Sequence, residues 1–131
     1  MKTISFLILC LFAIGVSAKE LPCPPKLETN QVLAKNISTW KTFQDSNDVH
    51  ILKSVDFYDG DPKEMAQLAP DNADSKNDPV WTFGAKSEIW QVCRYTNTKI
   101  SLTKNLGRNL KSCAVKFNKQ INPQVDSISC K

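Results

Sequence analysis

Across residues 90–115 the sequence WQVCRYTNTKISLTKNLGRNLKSCAV alternates apolar and polar positions in two strand-like runs and the start of a third, bracketed by Cys93 and Cys113. Period-two alternation puts one set of side chains on a buried face and the other in water. Residues 88–95 and 99–106 read as two strands joined by a turn at Thr96-Asn97-Thr98, with Ile100 and Leu102 on one face and Ser101 and Thr103 on the other. After a loop at Gly107, Cys113, Val115 and Phe117 alternate inward, and the tail from Asn122 to Cys130 predicts a last extended piece carrying Val125 and Ile128.

Upstream, the spacing of apolar residues in 31–43, QVLAKNISTWKTF, is mixed between strand and helix; it predicts a strand over 31–34 with Trp40 buried. In the next strand Val49, Ile51, Val55 and Phe57 fall on one face, interrupted by Lys53. Asp59-Gly60 is a turn pair, and Asp61-Pro62-Lys63-Glu64 supplies a helix cap, a proline at the first helical position and an early acid. These signals predict one short α-helix near residues 61–69, with Met65 and Leu68 inward, ended by Pro70. A polar loop over 70–79, a strand over 81–83 and a turn over 84–87 follow. The expected fold is mainly β, an antiparallel sheet forming a small barrel or sandwich.

The first eighteen residues, MKTISFLILCLFAIGVSA, change the picture: Lys2, an apolar run from Phe6 to Val16, then Ser17 and Ala18 form a secretory signal with cleavage expected after Ala18. The run is too short for a membrane span and no stop-transfer segment follows, so the expectation is a periplasmic or secreted protein without a membrane span. Lipidation at Cys10 is disfavoured by Leu9 before it and by the apolar chain beyond. Removing 18 of 131 residues leaves 113, one disulfide-stabilised β-rich domain over 19–131. Its cysteines are Cys23, Cys93, Cys113 and Cys130, an even number that implies two bridges with three connectivities. Cys93 with Cys113 closes the central ribbon, and Cys23 with Cys130 ties down both termini; that pairing is favoured. No CxxC pair points to zinc.

Charge is uneven. Residues 45–78 carry nine acids against Lys53, Lys63 and Lys76, a net −6, whereas residues 79–131 carry nine bases against Glu88 and Asp126, a net +7. The bases are scattered along alternating strands and do not form a nucleic-acid footprint. His50 is the only histidine, and with the mature cysteines paired no nucleophile and base come together, so the expectation is a non-enzyme without cofactor or metal. The acids Asp56, Asp59, Asp61 and Glu64 read as turn and cap residues before they read as paired catalytic carboxylates, and DFYDGDPKE lacks the ligand spacing of a calcium loop. Trp40, Trp81 and Trp90 are expected in the core.

The run VDFYDGDPKEMAQLAPD (55–71), Trp81, WQVCRYTNTKISLTKNL, Cys113-Ala114-Val115 and the Cys23-Pro24 start together resemble a group of exported Gram-negative bacterial proteins proposed as lysozyme inhibitors. More remotely the chain is similar to the periplasmic and membrane-bound inhibitors of c-type lysozyme, β-barrels that insert a serine and a lysine between the lysozyme's catalytic carboxylates. Their Ser-Gly-x-x-Tyr signature is absent; Gly84-Ala85-Lys86-Ser87 stands in its place, and Thr103-Lys104-Asn105 replaces Thr-Lys-Gly. The resemblance therefore implies Lys86, Ser87 and Lys104 as partner-binding residues, with a lysine ammonium meeting carboxylates in a cleft that excludes water. A rival face is Asp59, Asp61 and Glu64, where the acidic stretch would steer encounter with a basic host lysozyme. The functional expectation is a periplasmic lysozyme inhibitor that occludes the active site; the alternative is an envelope structural or interaction protein binding another bacterial component.

Overall fold

Two antiparallel sheets, each open at both edges, share one core in the computed structural model, which describes residues 19–20, 22–44, 49–121 and 124–131. The expected signal with Cys10 and the residues Asp45, Asp48 and Asn122 lie outside the described residues. The first sheet runs β2 (Lys26–Glu28), β3 (Val49–Asp59), β6 (Ile89–Tyr95) and β7 (Ser101–Gly107), with β4 (Gln67–Leu68) also pairing with β3. The second runs β1 (Lys19–Glu20), β9 (Val125–Cys130), β8 (Ser112–Phe117) and β5 (Val80–Thr82). The mainly β, antiparallel expectation holds; the two open sheets make a half-barrel and not a closed one.

The strand β3 is bulged. Its register against β6 shifts between Leu52 and Ser54, so Lys53 is an extra residue without a partner. One inserted residue moves the inward set from even to odd positions: His50 and Leu52 are buried before it, Val55 and Phe57 after it. Val49 and Ile51, expected inward, are exposed for this reason. A second bulge at Leu106, between the pairs Ile89 with Gly107 and Trp90 with Asn105, uses Gly107 at φ +83°, a backbone region that glycine enters without a Cβ penalty.

Phe57 is fully buried where the sheets meet, its ring 5.0 Å from that of Trp81 in an edge-on arrangement and 5.5 Å from that of Phe83. Val55, Ile89, Tyr95, Val115 and Ile128 complete the same cluster with all four cysteines. Trp81 also donates its indole N–H to the Leu68 carbonyl at 3.0 Å. Of the three tryptophans expected inside, Trp81 is buried, Trp90 is half-buried and Trp40 is 79% exposed.

The α-helix expected near 61–69 is a single 3-10 turn, Pro62–Glu64. Its start signals work as anticipated, since Asp61 accepts the Lys63 N–H at 2.9 Å with Pro62 in the first position. Met65 then turns left-handed at φ 60°, and the Asp59 N–H bonds to the Ala66 carbonyl, returning the chain to β3 as β4. Strand pairing thus takes the residues a second helical turn would need, and Met65 points outward. The strand expected over 31–34 is absent: residues 29–44 form an irregular excursion between β2 and β3.

The disulfides join Cys23 to Cys93 and Cys113 to Cys130, correcting both expected pairs. Cys93 lies on β6 and Cys113 on β8, in different sheets. Cys113 and Cys130 are directly opposed on β8 and β9, their Cα atoms 4.1 Å apart, next to the doubly bonded pair of Ser112 and Lys131. The two bridges close 70 and 17 residues, worth about 4 and about 3 kcal/mol in the chain-entropy account. Replacing Cys23 and Cys93 together by alanine is expected to cost more in urea unfolding than replacing Cys113 and Cys130. Non-reducing peptide mapping should recover the Cys23 peptide linked to that of Cys93, and a link to the Cys130 peptide would refute the topology.

Candidate partner-binding site

The strands β3, β6 and β7 bring one end of the first sheet together at Asp59, Ile89 and Gly107. All six sequence candidates are carried by this end. Asp59 closes β3 and its carboxylate accepts the Ser87 hydroxyl at 2.9 Å and the Glu88 N–H at 3.0 Å, while the Gly60 N–H bonds to the Glu88 carbonyl. Gly60 takes φ +93°, and a Cβ there would come 3.1 Å from Glu64 Oε2. Glu88 in turn accepts from Asn105 Nδ2 at 2.7 Å and from Arg108 at 3.2 Å. Asp59, Asp61 and Ser87 are therefore committed to turns inside the molecule. Lys86, at the tip of the 84–87 turn, Lys104 on the edge strand β7 opposite Gln91, and Glu64 remain exposed.

On the outer face of the same sheet Arg94 pairs with Asp56 and donates to the Tyr58 hydroxyl at 2.7 Å; that hydroxyl donates to Gln67 at 3.3 Å. The hydrogen bond to Asp56 is the main cause holding the Arg94 guanidinium above its ordinary value, against the opposing effect of burial. Burial raises the Tyr95 phenol, which donates to the Pro24 carbonyl at 2.9 Å.

His50, the chain's only histidine, is buried away from these groups. Thr96 O can only accept, so His50 Nδ1 carries the hydrogen of that 2.7 Å bond, and Nε2 meets the Thr29 hydroxyl at 2.8 Å. The ring thus ties the end of β2 and the β6–β7 turn to β3. Among the described residues no three His, Cys, Asp or Glu side chains group as a metal site, and no helix is long and apolar enough to cross a membrane.

Trp40, expected inside, belongs to the 29–44 excursion, which leaves β2 at the opposite end of the sheet. Val32, Leu33, Ile37, Trp40 and Phe43 of the 29–44 excursion are all exposed, and Val49, Ile51 and Ile100 surface at the same end. The signal was present in the sequence as a periodicity that fitted neither strand nor helix, which is what a segment without a buried face produces.

The family model of the type VI secretion system Tli immunity protein matches residues 45–131, and the chain belongs to that family. The match runs from just before β3 to the end of β9 and leaves out Cys23, β2 and the 29–44 excursion. Neither the curated proteins nor the solved structures yield a match. An immunity family implies a protein partner, the effector; the match lends no support to the host lysozyme expected from the resemblance.

The bonds from Asn105 first and Arg108 second hold the Glu88 carboxyl below its ordinary value. A folded value below the unfolded one stabilises the fold above the unfolded value, and this is lost as pH falls through the folded one. In carboxyl NMR titrations Asn105→Ala is expected to return Glu88 toward the ordinary range by a larger step than Arg108→Ala; the reverse order would contradict the arrangement.

Proposed function

We propose that this chain is exported to the periplasm, binds there a type VI effector delivered by a neighbouring cell, and holds it inactive by covering its active site. The observation that carries the reading is the family match over residues 45–131, which spans seven of the nine strands. The protein acts by contact and performs no chemistry of its own. A lysozyme-like wall hydrolase as the effector would unite the family with the resemblance in the sequence.

The type VI effectors encoded by the producing bacterium can be expressed one at a time in the periplasm, with and without the full chain. Toxicity of one effector is expected to vanish with the full chain and to persist when residues 1–18 are deleted. The purified pair should form a stoichiometric complex. Arrest by every effector regardless of the chain would reject the reading. In a turbidity assay on bacterial walls, stoichiometric inhibition of a c-type lysozyme would make the host enzyme the target instead.

A further inference from the structure

Large apolar side chains exposed among the described residues number eleven; three of them, Val49, Ile51 and Ile100, lie at the β2–β3 end of the first sheet, from which the 29–44 excursion leaves. Five belong to the 29–44 excursion: Val32 at 87% exposure, Leu33, Ile37, Trp40 at 79% and Phe43 at 92%. Val32, Leu33 and Phe43 line one cleft with Gln31, Asn36, Thr42 and Gln44, so these side chains adjoin. The excursion has a fixed turn: the Trp40 N–H bonds to the Ile37 carbonyl at 3.2 Å, and Thr39 between them takes φ 73°. A β-branched residue is strained there. Its base is anchored, because Thr29 holds His50 and Cys23, ahead of β2, is bonded to Cys93.

Apolar side chains exposed in this number along one short segment mark a docking surface. Tryptophan and phenylalanine present about 150–250 Å² each, so the five side chains together offer on the order of 700 Å². That approaches the roughly 800 Å² each partner contributes to a standard interface. The composition is that of an interface core, aromatic and aliphatic with few charges. Lys35 and Lys41 are the only charged residues from Thr29 to Gln44, and Asp45 and Asp48 follow in the sequence, so residues 29–48 carry no net charge. An anionic bilayer would be met by a basic segment, which this is not.

Resting on the reading above, we propose that residues 31–43, with Trp40 and Phe43 as anchors, form the surface that grips the effector, in an apolar groove of that protein. Lys86 and Lys104 lie at the far end of β3, whose eleven residues span about 35 Å, and are outside the grip. The segment also lies outside the matched region 45–131, so the shared domain carries it as a separate recognition element.

The probe is the purified effector that the wild-type chain neutralises, measured by calorimetry against two full-length variants. Trp40→Ser with Phe43→Ser is expected to weaken binding at least 100-fold with an unchanged melting temperature, since both side chains are in solvent. Lys86→Glu with Lys104→Glu is expected to bind within threefold of wild type. Equal binding by the first variant, or loss confined to the second, would overturn the inference while leaving the immunity reading intact. If no effector is neutralised, both fall together. Two controls complete the test. A wild-type dimer in sedimentation that the first variant abolishes would seat a second copy on the segment. Cosedimentation with phosphatidylglycerol vesicles, lost in that variant, would seat a membrane there; either result overturns the proposal.

Discussion

Among the described residues neither disulfide links a strand of one sheet to a strand of the other, so the packing of Phe57 against Trp81 and Phe83 carries their union. The Cys23–Cys93 bridge ties the segment between β1 and β2 to β6, and Cys113–Cys130 joins β8 to β9. Phe57 reaches that position only because Lys53 is bulged: without the extra residue the odd positions after it would face solvent. Trp81 then fastens a second point, its N–H bonding the Leu68 carbonyl on β4. A single inserted lysine thus sets the phase of the strand on which the core is built.

What could be read from the sequence was local. The turns at Asp59-Gly60 and Thr96-Asn97, the Gly107 loop and the inward alternation of Cys113 and Val115 all follow from residue chemistry within a few positions, and the structure contains them. What failed depended on partners far away in the chain. The cap at Asp61 is real, but pairing of Gln67 and Leu68 with Tyr58 and Phe57 outcompetes the helix it begins. The bulge at Lys53 looked like a lapse in one alternating face when it was the change of face. The disulfides follow strand adjacency, which spacing in the sequence does not encode.

The candidate site divided along the same line. Asp59 and Asp61 were candidates for an acidic face and Ser87 by resemblance, yet the turns and cap that their residue types announce are what they serve. Lys86, Lys104 and Glu64 are exposed at that end of the sheet, and so is Asp59, its carboxylate already bonded to Ser87 and Glu88. Trp40 was assigned to the core on hydrophobicity alone, yet in a domain of this size the inner face is already filled from β3, β6, β8 and β9. An apolar residue for which the core has no room is the more informative one.

The bridges connect the mature cysteines in order of appearance, first with second and third with fourth. In a chain that emerges N-terminus first, Cys23 meets Cys93 before Cys113 or Cys130 has arrived, and Cys113 meets Cys130 after the earlier pair is spent. Oxidation that simply takes each thiol as it comes therefore yields the native pattern. The crossed pairings would have to wait for the end of the chain, so the order of the cysteines itself protects the domain from scrambling.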